Sequence, residues 1–137
     1  MYQVHQDFGA YKPVTRAQLE AVMDAPVLRL DGLDAPIIIE KIELLFNHGT
    51  YMVRTTAKDG LVGISLANDR IEFVYPILEK QIAPYFIGQD ARRLEALLDE
   101  VYVYKANYKL AGIPYYSALA ALELSILDML AKVANRG

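Results

Sequence analysis

The stretch from Ile37 to Leu66, IIIEKIELLFNHGTYMVRTTAKDGLVGISL, constrains the fold more than any other part of the sequence. Its residues alternate between apolar and polar in short runs broken at Asn47-His48-Gly49 and Asp59-Gly60, the pattern of three short antiparallel strands. A two-residue Asp59-Gly60 loop of type I′ pairs Lys58 with Leu61. Counting back, Ala57 faces Val62, Thr55 faces Ile64 and Val53 faces Leu66 on a mostly apolar side. Thr56 with Gly63 and Arg54 with Ser65 take the polar side. A one-residue slip mixes the two faces, so alternation and turn agree on this register. In the first strand Ile38, Ile42 and Leu44 share a face, Glu40 is its polar exception, and Lys41 and Glu43 point away.

Around this core of strands the sequence reads as helical. Thr15 with Gln18 forms a capping-box pattern for a short helix, Arg16 to Met23, with Leu19, Val22 and Met23 as its buried stripe and Pro26 as its stop. Residues 26–36 are extended or turning, punctuated by Gly32. After Leu66, Asp69 with Glu72 marks a helix start, and Phe73, Val74, Ile77, Leu78 and Ile82 follow at helical spacing. Pro76 predicts a kink there, or a break and restart with Pro76 in a new first turn; Pro84 predicts the stop. Asp90 is the N-cap of the next helix, lined by Leu94, Leu97, Leu98 and Val101. The last helix runs roughly from Ser117 to Ala134, with Leu119, Leu122, Ile126, Met129 and Val133 as a clean stripe, and Asn135-Arg136-Gly137 as its exit. The result is an α+β fold: a three-stranded antiparallel sheet followed by a bundle of about three helices, with residues 1–36 as an N-terminal arm and residues 37–137 as the body.

At 137 residues, one domain can bury about two-thirds of its unfolded surface. A formal charge of -3 with scattered basic residues gives no electrostatic case for nucleic acid. There are no cysteines, which excludes disulfides, thiolate catalysis and cysteine-based metal sites. No apolar run approaches the roughly 18 residues of a membrane span, so no membrane partner is expected. The N-terminus lacks the order of a secretory signal, which favours a cytoplasmic protein, with a trimmed leader as the alternative.

Few residues carry chemistry. His5 and Asp7 lie close enough to share a metal, but a closed site needs three or four ligands. His48 sits in a strand–strand turn, where a solvated histidine is the ordinary occupant. No serine-nucleophile motif, phosphate-cradling glycine loop or His-Glu-x-x-His pattern is present. The acidic residues fall at helix starts and on solvent faces. Of the ten tyrosines, Tyr102, Tyr104, Tyr115 and Tyr116 fit a helix–helix interface with hydroxyls at its edge. On residues alone the chain has no catalytic site and no metal site.

Three motifs in register add a further reading: Asp59-Gly60-x-x-Gly63 in the hairpin, Pro84-x-x-Ile87-Gly88-x-Asp90 before the second long helix, and Ala118-x-x-Ala121-Leu122-Glu123 followed by Ile126-Leu127-Asp128 in the last. Together they resemble the N-terminal domain of enolase-superfamily enzymes of the mandelate racemase and muconate-lactonizing group, over roughly residues 37–137. The resemblance implies an α+β lid paired with a C-terminal (β/α) barrel. That barrel supplies acidic Mg²⁺ ligands and the Lys or His bases that take a proton α to a carboxylate. It also implies a small carboxylate substrate, met by two loops: Asn47, His48 and Tyr51 from the first, and Asn68, Asp69 and Arg70 from the second. Arg70 is suited to a substrate carboxylate, with a solvated helix-start residue as the alternative.

Two departures stand out: Gly63-Ile64-Ser65-Leu66 replaces a Gly-x-Gly-Glu-like sequence, and no Lys-x-Lys sequence is present. The sequence reads as a capping domain without its barrel, inactive alone, with a stand-alone α+β protein-interaction module as the rival. A surface left exposed by an absent barrel also predicts homo-oligomers in concentrated solution.

Overall fold

Two tight turns decide how the strands meet. In the computed structural model, which describes residues 13–134, β1 (Ile39–Asn47), β2 (Thr50–Ala57) and β3 (Val62–Leu66) form one antiparallel sheet in that order. Asn47 pairs with Thr50 across His48-Gly49, and both turn residues have positive φ, 47° and 82°. This is the type I′ signature, whose twist matches that of the strands it joins.

Asp59-Gly60 behaves differently. The Ala57 N–H donates to the Leu61 carbonyl at 2.8 Å and the Gly60 N–H to the Ala57 carbonyl at 2.9 Å. Of these loop residues only Gly60 lies in the left-handed region, at φ 84°. That is a three-residue loop, a type I turn followed by a left-handed residue, and it moves the register by one from that of a two-residue loop. Thr56 faces Val62, Thr55 faces Gly63, Arg54 faces Ile64 and Val53 faces Ser65. The inward side of β3 is therefore Leu61, Gly63 and Ser65, all buried, while Ile64 and Leu66 are 44% and 69% exposed. In β1, the register shifts between Ile39 and Lys41 and leaves Glu40 as an exposed bulge residue. Ile39, fully buried, takes the inward place that alternation alone gives to Ile38.

The helices follow in the order α2 (Ile71–Ile77), a π-helical segment (Leu78–Ile82), α3 (Ala83–Phe86), α4 (Leu94–Val103) and α5 (Ile113–Ala134), and α5 lies directly over the inward face of β2 and β3. α5 starts at Ile113 rather than Ser117, and its Leu119, Leu122, Ile126 and Met129 are buried as the stripe predicts. A Cβ added to Gly63 would overlap the Ser125 carbonyl oxygen and stand 2.7 Å from the Met129 Cβ. Small residues in β3 are what let α5 lie so close, and this inverts the face expected for that strand. Neither Pro76 nor Pro84 ends the rod. Pro76 sits inside α2 and Pro84 in the first turn of α3, and the π-helical segment between them absorbs the irregularity. Phe73 lies about 200° round α2 from Ile71 and is 68% exposed, while Ile71, Leu78 and Ile82 are buried.

Ahead of the sheet, α1 (Arg16–Met23) has the predicted capping box, with Thr15 and Gln18 bonded reciprocally. Its stripe is not buried: Leu19, Val22 and Met23 are 52%, 75% and 81% exposed. After α1 the chain is fastened to the body, where the Val27 and Leu28 N–H groups donate to the Glu95 carboxylate at 2.6 and 2.7 Å.

Gly63→Ala is expected to lower the unfolding free energy of residues 1–137 by about 3 kcal/mol, measured by urea denaturation, because α5 must move off the sheet. A loss below about 1 kcal/mol would show that the contact is not tight.

Candidate functional site

The three motifs turn out to be fastenings of the fold. Asp90, the expected N-cap, accepts from the Arg92 N–H at the turn Ala91–Arg93 that leads into α4, and also from the Ile37 N–H, both at 3.1 Å. Arg92 grips the same carboxylate through Nη2 at 2.7 Å and reaches the Leu33 and Asp34 carbonyls. Burial pushes the Asp90 carboxyl up, but the hydrogen bonds from Arg92 and the Ile37 N–H outweigh it, and the net shift is downward. Asp128 in α5 accepts from Lys132 at 2.6 Å and from the Ile64 N–H at 2.8 Å, and both hold its carboxyl below the usual range. Lys132 in turn donates to the Val62 carbonyl at 3.0 Å. These bonds pair the outer edge of β3 with side chains of α5, which blunts an otherwise open strand edge.

The two loops expected to meet substrate leave the sheet at one end. The Ala67 N–H donates to the Tyr51 carbonyl at 2.9 Å, so the second loop begins beside the start of β2. Asn47 and His48 are exposed at the I′ turn, and Asp69 and Arg70 are exposed ahead of α2. Asn68, not Asp69, organises the helix entry: its side chain accepts from the Arg70 N–H at 2.8 Å and its carbonyl from the Ile71 N–H at 2.9 Å. Tyr51 is half-buried and packs on Phe46 with ring centroids 4.6 Å apart. Among the described residues no side-chain hydrogen bond links the two loops, and Arg70 makes no ion pair. The loops are brought side by side with their polar groups facing solvent.

Tyr51 also joins the loop end to a groove of about 600 Å³ between β1 and the α2–α3 rod, floored by Leu44, Leu78 and Ile87 and rimmed by Glu72, Tyr75 and Glu79. Glu72, Tyr75 and Glu79 recur at helical spacing, which in sequence looks like an ordinary solvated face. Among the described residues no three His, Asp or Glu side chains gather as a metal site. His5 and Asp7 lie outside the described residues, as does the exit Asn135-Arg136-Gly137.

A meander of three strands, helices packed on one face and two loops side by side at one end define an N-terminal α+β module of enolase-superfamily type. Residues 46–137 match the family described as mandelate racemase / muconate lactonizing enzyme, N-terminal domain, and the chain belongs to that family. It is similar to the D-mannonate dehydratase of Caulobacter vibrioides, 31% identical over 61% of this chain and 21% of that protein. It is also similar to a D-galactonate dehydratase family member of Paenibacillus sp., 32% identical over 58% of this chain and 20% of that one. The chain thus spans about a fifth of the length of these relatives. Among solved structures, a mandelate racemase/muconate lactonizing enzyme from a marine actinobacterium, in complex with magnesium, superposes with a TM-score of 0.60 at 27% identity, over 72% of this chain and 29% of that one. A mandelate racemase/muconate lactonizing protein from Paracoccus denitrificans gives 0.60 at 26%, over 72% and 28%.

Because the Asp90 and Asp128 carboxyls are lowered by folding, the stability they contribute is complete above the ordinary aspartate value of about 4 and is lost as pH falls through their lower folded values. Asp90→Asn is expected to cost about 1 kcal/mol at pH 7 and to flatten the fall in stability below about pH 4. Denaturant unfolding across that range checks it; an unchanged slope would mean that the Asp90–Arg92 pair does not couple to folding.

Proposed function

We propose that this chain is the capping and substrate-specificity domain of a Mg²⁺-dependent acid-sugar dehydratase, within a group that also includes racemases and cycloisomerases. The observation that carries the reading is the pair of loops at one end of the sheet, with the side chains of Asn47, His48, Asp69 and Arg70 unengaged among the described residues, on a fold whose relatives include sugar-acid dehydratases. The domain acts over a C-terminal (β/α) barrel, at the mouth where barrel active sites lie. Mg²⁺ held by the barrel would stabilise negative charge developing α to the substrate carboxylate.

The work of this chain is to bind, orient and exclude water. Arg70 presents a planar fork matched to a carboxylate, and Asn47, His48, Asn68 and Asp69 offer donors and acceptors for sugar hydroxyls. Tyr51, fixed on Phe46, forms the wall between loop and groove. Closing these loops over substrate strengthens every polar contact beneath them and adds discrimination between hydroxyl patterns.

Residues 1–137 alone are expected to exchange no α-proton of a D-aldonate in D₂O with Mg²⁺ present, followed by proton NMR; exchange by this chain alone would contradict the proposal. In a chain that joins these residues to a family barrel, Arg70→Ala is expected to raise KM about tenfold with kcat changed little, since a charge-assisted bond is lost from the bound substrate. An unchanged KM would remove Arg70 from this role.

A further inference from the structure

One side of β1 is open. In a two-residue hairpin the closing pair, here Asn47–Thr50, exchanges both backbone bonds, and such pairs recur at every second residue. Leu45, Glu43 and Lys41 therefore turn their backbone groups to β2, while those of Ile42, Leu44 and Phe46 point to the free edge. At its far end that edge is already used. The Ile39 N–H donates to the Gln89 carbonyl at 2.9 Å, and the Gly88 N–H donates to the Ile39 carbonyl at 2.8 Å. Beyond Lys41 no segment among the described residues pairs with it. The opposite edge, on β3, is blunted by Asp128 and Lys132. On β1 the open row of donors and acceptors is a template for another strand.

The groove of about 600 Å³ lies along this same edge. Ile42, Glu43, Leu44 and Leu45 all line it, although alternate side chains of a strand point to opposite faces. The groove thus abuts the backbone of β1 as well as one face of the sheet. From Ile42 to Phe46 the edge offers about 17 Å, the length of a five-residue strand. The floor is apolar, and the charged residues of the lining have one sign: Glu43, Glu72 and Glu79, with no Lys or Arg. Glu43 is held by Lys41 and Arg54. Glu72 and Glu79 are exposed, and neither has a partner among the described residues. Two turns of helix separate them, roughly 10 Å along the rod. An added strand would set alternate side chains about 7 Å apart on the groove side. A basic residue on either side of an apolar one then brings two cations to the two carboxylates, with their aliphatic stems lying on the floor.

We propose that the groove beside β1 is a docking site for an extended basic segment of another protein. The segment adds as a fourth strand to the Ile42–Phe46 edge, sets an apolar side chain against Leu44, Leu78 and Ile87, and pairs its basic side chains with Glu72 and Glu79. This is β-strand addition, in which backbone bonds supply affinity and side-chain pockets supply selectivity. The groove leads away from Asn47 toward Ile39, so the segment leaves the polar groups of the loops assigned to substrate free.

The test uses ¹⁵N-labelled protein of residues 1–137 titrated with the peptide acetyl-TRTLTRT-amide. Saturable shifts are expected at Ile42, Leu44, Phe46 and Glu79. Near saturation, amide exchange at Leu44 and Phe46 should slow at least about tenfold, because those N–H groups become bonded. Glu72→Gln with Glu79→Gln, two exposed changes that leave the core intact, should weaken binding about tenfold. Added salt should weaken it in the native protein, and acetyl-TETLTET-amide should not bind. The proposal is overturned if the basic peptide gives no saturable shifts along β1 at millimolar concentration, or if the acidic peptide or the double variant binds as well. Shifts that saturate without slower exchange would also overturn it, since contact would then be through side chains alone. So would loss of binding when these residues are joined to a family barrel, because the groove would then be filled by the chain's own barrel.

Discussion

The close approach of α5 to β3 is the constraint on which the rest of the structure depends. Gly63 leaves no room for even a methyl group beneath Ser125 and Met129. With the helix that near, short hydroxyl side chains bridge the two layers. Thr55 and Ser125 share a hydrogen bond of 2.6 Å, Ser125 also donates to the Leu122 carbonyl at 2.7 Å, and Ser65 donates to the Ala121 carbonyl at 2.5 Å. Each of these polar groups is buried and satisfied, so the interface keeps its density without the penalty of an orphaned hydroxyl. Asp128 and Lys132 then fasten the strand edge from outside. Chain motifs far apart in sequence are thereby explained together: the hairpin glycine and the alanine-rich helix are two halves of one contact.

How much of this was legible in the sequence follows from what kind of signal each part carries. Helices with a long, regular apolar stripe, such as α5, are legible because periodicity over many residues outweighs any single exception. The Thr15–Gln18 capping box is legible because it is a local bond pattern, whereas the exposure of α1 is not, since burial needs a partner surface. The sheet order was legible, but the β2–β3 register was not. Asp-Gly serves loops of two and of three residues, and one residue of difference exchanges the faces of β3. The two-residue type I′ turn is instead at His48-Gly49, where a histidine at positive φ gives little warning. Pro76 and Pro84 look like interruptions because sequence offers no sign of the π-helical segment that accommodates them.

The same distinction applies to the candidate site. That the loops at Asn47–Tyr51 and Asn68–Arg70 lie together is forced by a three-stranded meander, since both leave it at the same end. Which residue shapes the second loop was not legible: Asn68 and Asp69 are equally good in composition, and only geometry shows Asn68 bonded to Arg70 and Ile71. Acidic residues at Asp90 and Asp128 are the most constrained carboxylates of the motifs, and both are engaged within the fold. The motif carboxylates thus serve the fold, while the side chains of Asn47, His48, Asp69 and Arg70 stay unengaged in the loops among the described residues. This is the division of labour that the proposed capping role requires.

Native-state hydrogen exchange tests this division most directly, because Gly49 and Gly63 are chemically alike and differ only in place. Gly63 lies beneath α5, and its amide is expected to exchange only when the whole domain unfolds. Gly49 in the first loop should exchange by local opening, at least about a thousandfold faster. Comparable exchange at the two glycines would contradict the account, since α5 would then not be the element that holds the sheet.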